Sequence, residues 1–551
     1  MKKNIVVILC LLAALSAPAL AGPNFVDQFM KRYKPLAYDQ KPTPSELPPD
    51  VLTSLIRNGE IPMSVNDVVV LTLKNNLDIG LDRMTPLSTR IAIESFYRPF
   101  DPTLHIASSL NKSTAASASQ LSGAPSVSQL NQIYDFGYSQ NLQTGTAVGI
   151  DFSLNRSSSN SAFSTFNPAW SGTVRYSATQ HFLRDYGRSI NARQFTVAKN
   201  NLEISEVQFE GQVIDLVTQA EKSYWDLVFT FEDLKVKQRS MDLAQKTLSD
   251  NRIQVDAGAL ASADLVQSES EVASRQEQLI DSNYTQVQVS DQIKKLVTNG
   301  PDPGIVMAKI TPTQAVSRPR PGDVLSKEDA VKVALENRVE MRAIDLQMKN
   351  SDIDIKYTKN QLLPSLDVTA AYTQSGLGGF ETLRNGFGAG APIIATFPGG
   401  ITDALGQIVR NTYRGYSVQA TLTIPLSNRA PQADYARALT VKRTDENRKA
   451  ATAAAIALQV RDAINQVEKS SARIDTAQKV REFAERKLDY EQRKFDLGAS
   501  TIRFVIEEQR NVTQAQTDEI AALVNYAKAL VDYNHAIGVT LQKNNIVLDK
   551  N

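Results

Sequence analysis

The sequence predicts a mainly helical, exported protein with a membrane β-barrel at one end, and three observations lead there. Ser64–Leu104 lies over Ser326–Leu366 without a gap, pairing Asp67 with Asp329, Leu73 with Leu335, Asn75 with Asn337 and Pro102 with Pro364. In each half a long seven-residue repeat then runs to a glycine, Gly258 or Gly498. Segments of alternating apolar and polar residues lie between the shared opening and the long repeat. Length, order and spacing all recur, so the chain is one unit built twice: helix, strands, long helix, shorter helix.

The N-terminus sets the expected compartment. Lys2 and Lys3 precede an apolar run from Ile5 to Leu15 and an Ala19-Leu20-Ala21 cleavage site, the pattern of a signal peptide over residues 1–21. The single cysteine, Cys10, falls inside it behind Leu9, where a lipoprotein signal needs a small residue. The mature chain is therefore expected to be thiol-free and to draw its stability from packing and assembly. Removal of the two lysines takes the formal charge from +1 to about −1 with both signs interspersed, so nucleic acid is not an expected partner. Beyond residue 21 nothing approaches the roughly 20 apolar residues of a spanning helix, which leaves a barrel as the way to cross a bilayer.

The helices follow from periodicity. From about Gly187 to Ala257, the residues Ala220, Leu227, Leu234, Met241, Leu248 and Val255 recur every seven, with Tyr224 and Phe231 in the alternate seam position. That position turns polar toward Gly258, through Gln238, Gln245 and Arg252. In the second half Ile456, Val460, Val467, Ile474, Leu488 and Phe495 lead to Gly498. Each glycine ends a long helix, and shorter ones return over about Ala263–Val297 and Thr501–Gly538, giving two antiparallel helical hairpins. A helix of about 70 residues spans roughly 105 Å and the returning helices about half that. The opening helices, Ser64–Arg98 and Ser326–Gln361, supply the missing length if stacked end to end on the returning ones.

Strands are expected where apolar and polar residues alternate: Leu366–Tyr372, Tyr416–Ile424, Val174–Ala178, and an additional hairpin of Tyr134–Leu142 and Ala147–Asn155. One face is apolar and the other polar, as in a membrane barrel with a wet lumen. Asn111–Gln132 and the Gly-rich Ser375–Asn411 read as loops. The resulting organisation is a signal peptide (1–21), a proline-rich extension (22–63), a first repeat (64–300; strands 103–182, hairpin 187–298), a proline-rich connector (301–325), a second repeat (326–541; strands 366–426, hairpin 430–538) and a tail (542–551).

The duplicated plan, Tyr224-Trp225-Asp226-Leu227, the Ile424-Pro425-Leu426 corner and the Gly258 and Gly498 turns together resemble outer-membrane efflux proteins of the TolC type over about Ser64–Leu541. The resemblance implies a homotrimer in which each chain lends four strands to a twelve-stranded barrel in outer-membrane lipid and its coiled-coil hairpins to a periplasmic tunnel. A periplasmic adaptor protein and an inner-membrane transporter would dock at the tips, and the duct would passively conduct substrates of a tripartite efflux or type I secretion system to the exterior. The extra hairpin and the proline-rich arm depart from that pattern.

By the same resemblance, Asp264 matches the family's linking aspartate, and Phe504 and Glu507 occupy places where relatives carry two inward-facing acids, so these three are the expected periplasmic gate. Adaptor or pump docking is expected at Gly258, Ala259, Leu260, Gly498, Ala499 and Ser500, where small residues permit close approach. No enzyme, cofactor or metal motif is present: His105, His181 and His535 are scattered, and no zinc helix, nucleophile elbow or P-loop occurs. The competing class is an exported coiled-coil filament or a periplasmic adaptor. A filament would lack amphipathic strands, and an adaptor would carry one hairpin flanked by small β-domains.

Overall fold

A computed structural model describes residues 33, 56–57, 59–117, 122–258, 260–298, 303–386 and 391–548. The segment 1–21, nearly all of the 22–63 arm, Ala259, part of the connector and the glycine run 387–390 lie outside them.

Each half opens on the same local chemistry. Ser64 caps α1 (Val65–Asn75) in a capping box with Asp67, and Ser326 caps α5 (Lys327–Asn337), its hydroxyl 3.2 Å from the Asp329 amide as Ser64's is from that of Asp67. The opening helices are not continuous as expected. Asn76 takes an extended conformation (ψ 126°) and its side chain caps α2 (Leu77–Ile93), while Arg338 (ψ 130°) separates α5 from α6 (Val339–Gln361). The breaks are where the end-to-end stack is made. Asn75 Nδ2 donates to the Val297 carbonyl at 2.9 Å and Asn76 Nδ2 to Leu296 at 3.1 Å, and Arg338 Nη1 reaches the His535 carbonyl at 3.2 Å.

The long helices α3 (Arg193–Asp256) and α8 (Arg429–Asp496) return as α4 (Ser262–Val297) and α9 (Ile502–Ala536). Ala220, Tyr224 and Leu227 are fully buried and Met241 nearly so, while Gln238, Gln245 and Arg252 are exposed, so the seam of α3 loosens toward Gly258. Ile456, Val460, Val467 and Ile474 are buried likewise in α8. Each fully buried Ile, Leu or Val side chain contributes about 1.5–3 kcal/mol, which is where a chain without a staple finds its stability.

Both proline-rich segments hold structure that their composition hides. β1 (Glu60–Met63) pairs in parallel with β6 (Lys309–Pro312), and Ile61, Met63 and Ile310 join Tyr224, Leu227 and Ile293 in one core. The connector is pinned by three tyrosines: Tyr224 and Tyr533 accept the Gln314 and Leu325 amides at 3.0 Å each, and Tyr526 donates to Asp323 Oδ2 at 2.7 Å. Burial raises all three phenols above their ordinary value.

At the other end lies one antiparallel sheet in the order β2 (Thr103–Ala116), β3 (Ser126–Asn141), β4 (Thr146–Ser159), β5 (Phe166–His181), β7 (Ser365–Arg384), with β9 (Tyr413–Thr423) and short β8 (Ile393–Phe397) sharing the far side of β7. Both expected loops hold ordered structure: most of 111–132 is strand, and 375–411 carries strand at 375–384 and 393–397 and a helix at Ile401–Val409. β2 and β3 stay in register out to Ala116 and Ser126, and β7 runs on to Arg384. Six long strands thus stand side by side where the resemblance implied four. The extra hairpin is in the plane of the sheet.

Register separates the faces. The row Leu104, Tyr138, Ile150, Tyr176, Tyr372, Tyr416 lies on one face, and its neighbour His105, Gly137, Asp151, Arg175, Thr373, Gly415 on the other. The apolar face carries a short helix, α7 (Ile401–Val409), across β5 and β7. Its Ala404 and Ile408 are buried, and a Cβ on Gly376 would lie 2.0 Å from the Ala404 carbonyl oxygen. Asn411, just past α7, accepts a hydrogen bond from the Tyr372 hydroxyl at 2.8 Å.

Candidate gate and docking surface at the hairpin tips

The tips are built by positive backbone angles. Gly258 has φ +74° and Gly498 φ +73°, and among the described residues, chain neighbours aside, no heavy atom lies within 4 Å of an added Cβ at either. The glycines therefore answer to conformation, not to space. At Gly498 the reversal closes with the Gly498 amide donating to Phe495 at 2.9 Å and the Ala499 amide to Lys494 at 2.8 Å, the hydrogen bonds of a helix-ending Schellman turn. Gly258, Gly498 and Ala499 are exposed, and Leu260 and Ser500 half-buried. The Ser500 hydroxyl donates to Glu491 and, helped by Lys494 against partial burial, holds that carboxyl below its ordinary value.

Just past the second turn, Ile502, Val505 and Ile506 are buried against Leu488 and Phe495 of α8. One side of α9 is thereby committed to packing, and Phe504 and Glu507, a turn apart, face solvent in the single chain. Asp264 stands half-buried in the first turn of α4, where a carboxylate suits the helix dipole. A groove of about 720 Å³ runs between α3 and α8 above the turns, lined by Asp250, Asn251, Phe495, Ile502 and Gln509 among others.

The sequence reading missed the contacts that tie the hairpins together. Arg510 of α9 grips Glu271 of α4, which also accepts from Arg275 Nε at 2.7 Å; the Glu271 and Arg275 side chains are each only 4% exposed. These residues lie about one depth from the tips, thirteen beyond Gly258 and twelve beyond Gly498. Along the α3–α9 contact, Asp226 binds Lys528 at 2.7 Å, Asp233 binds Thr517 at 2.9 Å, Ser240 meets Thr513 at 3.1 Å and Thr247 accepts from Gln509 at 3.2 Å. Asp226, Asp233, Ser240 and Thr247 recur every seven residues, one position before the apolar seam, and that polar heptad was the available signal. Among the described residues no cluster of His, Cys, Asp and Glu could hold a metal ion, and no helix is long and apolar enough to cross a membrane.

Residues 330–539 match the family model described as outer membrane efflux protein. No curated protein matches the chain in sequence. Solved structures with this fold include the Campylobacter jejuni CmeC outer membrane channel, with TM-score 0.59 and 15% identity over 86% of this chain and 85% of that one. The outer membrane protein VceC of Vibrio cholerae gives 0.59 and 13% over 86% and 96%. The Neisseria gonorrhoeae MtrE outer membrane channel gives 0.57 and 13% over 86% and 88%. At these identities the likeness is one of fold.

Proposed function

We infer that this chain, whose second repeat matches the outer membrane efflux protein family over residues 330–539, is the outer-membrane exit duct of a tripartite efflux or type I secretion system. The observation that carries the reading is a sheet with one apolar and one polar face at the end of two helical hairpins in a single chain. An apolar face and unpaired edges suit lipid only if copies close the sheet into a barrel. Three copies would set the sheets in outer-membrane lipid and the coiled-coil hairpins into a periplasmic tunnel, its tips at Gly258–Leu260 and Gly498–Ser500 presented to a periplasmic adaptor and an inner-membrane transporter.

In this reading the duct performs no chemistry on its cargo. Asp264, Phe504 and Glu507 form the resting constriction: three-fold repetition makes Glu507 an acidic ring and Phe504 an apolar one. A ring of close carboxylates attracts cations and repels anions. The test is mass determination in detergent combined with conductance in planar bilayers. A trimer that opens discrete, cation-preferring channels is expected, and recovery as a soluble periplasmic monomer after gentle lysis overturns the reading.

A further inference from the structure

We propose that β9 of each chain pairs with β2 of the next, so that all six long strands enter the wall and the duct's barrel has eighteen strands. The number of copies rests on the trimeric reading above; the strands per chain and the edge pairing come from the sheet itself.

The extra hairpin is built in. Its strands pair along nearly their whole length, β3 with both β2 and β4, and β4 with both β3 and β5. Its helix-side turn is seated in the junction with the helices. The Gly187 amide donates to Thr144 at 3.1 Å and the His181 amide to Gly145 at 3.2 Å. Gln140 and Asn141 reach the Phe100 and Pro99 carbonyls, both at 3.3 Å. Gly145 has φ +84°, and a Cβ there would come within 2.4 Å of the Asp185 carbonyl oxygen. The 3₁₀ segment Glu94–Phe100 extends the chain from α2 to β2, past that turn. A hairpin held this way lines the wall and does not fold over the mouth.

The edges are what remain open. Every residue of β2 and every residue of β9 is exposed, and among the described residues neither strand has a second neighbour. In lipid such edges leave several kcal/mol unsatisfied per backbone group. β2 leaves the helices and β9 returns to them, so the pairing between chains is antiparallel like every other in the sheet.

The stagger of the sheet fits closure. The row through Thr103, Ser139, Gly149, Ser177, Ala371 and Ser417 lies 0, 2, 3, 4, 6 and 6 residues in from the helix-side ends of β2, β3, β4, β5, β7 and β9. The next step of that climb sets Ser417 opposite Asn111 of the following chain. This register puts Leu104 beside Ile424, Ile106 beside Leu422 and Leu110 beside Val418, apolar on apolar, and Lys112 beside the Tyr416 ring. A slip of one residue would turn apolar side chains into the lumen, and a slip of two toward a smaller stagger would set Lys112 against Arg414. With a rise of about 3.3 Å and a strand spacing of about 4.8 Å, eight residues of stagger per chain give a tilt of about 43°, inside the roughly 35–45° of membrane barrels. Since diameter grows with strand number, the wall would be about 38 Å across against about 25 Å for twelve strands at the same tilt and spacing.

The test uses the full chain, whose one native cysteine lies in the expected signal segment. Ser109→Cys with Gln419→Cys, both on the polar face, should join neighbouring chains on mild oxidation, giving covalent dimers and trimers on denaturing gels. Ser153→Cys with Gln419→Cys should not. A trimer by native mass that cross-links β9 to β4, or that cross-links neither pair, overturns the eighteen-strand wall and leaves the trimeric duct standing. A monomer by native mass overturns the reading beneath it. Electron-microscopic end views showing eighteen strands agree with the proposal, and twelve refute it.

Discussion

Arg510 on α9 holds Glu271 on α4, its Nε lying 3.0 Å and 3.2 Å from the two carboxylate oxygens. Glu271 also accepts from Nε of buried Arg275, whose Nη2 finds no hydrogen-bond partner among the described residues. Glu271→Gln keeps the shape but leaves Arg275 with an unbalanced charge. Breaking a buried pair from one side costs on the order of 3 kcal/mol. Hydrogen exchange over 264–275 should accelerate and resting conductance should rise; unchanged exchange would show that the contact bears no strain between the hairpins.

Gly258→Val and Gly498→Val should impair transport more than assembly. A left-handed conformation costs a non-glycine residue about 1–2 kcal/mol, and a β-branched one more. Nothing crowds either position, so Gly498→Asn, which tolerates this conformation, should restore most of the loss. Equal efflux by all variants at equal trimer yield on native gels counts against docking at the turns.

In the proposed trimer, Glu507→Gln removes three charges from one ring at nearly constant size. Cation preference should fall and block by multivalent cations weaken. Phe504→Ala should instead raise resting conductance with little change in selectivity. Single-channel recordings at low salt, where screening is weakest, separate the two; unaltered selectivity and block in Glu507→Gln place that residue outside the pore.

Much of this architecture was legible because periodicity is a property of side chains, and side chains are what a sequence displays. Both hairpins, their glycine turns and the alternating strands follow from it. The break at Asn76 did not, since the side-chain amides of Asn75 and Asn76 donate there to the Val297 and Leu296 carbonyls, more than two hundred residues away. The strands hidden in Ser- and Gly-rich runs were missed because backbone pairing there owes little to side chains. The positions of Phe504 and Glu507 came from resemblance, while Glu271 and Arg510 needed the fold to bring them together.

Gly376→Leu should detach α7 from the sheet, because the added side chain meets the Ala404 carbonyl. The helical hairpins are remote from it, so trimer yield should persist while protease sensitivity over 393–412 increases several-fold. Protection equal to that of the unaltered protein would mean that α7 does not lie on the apolar face in the membrane.

Glu221 on α3 is buried, and burial, partly offset by a hydrogen bond from Asn544 at 3.0 Å, raises its carboxyl above the ordinary value. The folded protein therefore binds this proton more tightly than the unfolded chain. Its stabilising effect is fully present below about pH 4.5, the unfolded value, and is lost as pH rises through the folded one. Glu221→Gln should melt higher than the unaltered protein at pH 7, with the gap closing toward pH 4.5. A gap independent of pH would assign the effect to packing.

Toward the tips the polar heptad makes the α3–α9 contact a slip plane, whereas nearer the opening helices Val524, Ala527 and Val531 of α9 pack into the apolar core around Leu227. Within each hairpin, parting the helices would expose Leu227 or Val460 to water, at about 25 cal/mol for every Å² uncovered. Along Asp226, Asp233, Ser240 and Thr247, water can take each partner's place, and a hydrogen bond so exchanged changes stability by only about 0.5–1.5 kcal/mol. Wetting this line, one rung at a time from the tip upward, would let the hairpins tilt apart as intact bodies, so that dilation of the duct becomes a matter of hydration and leaves both dry seams closed.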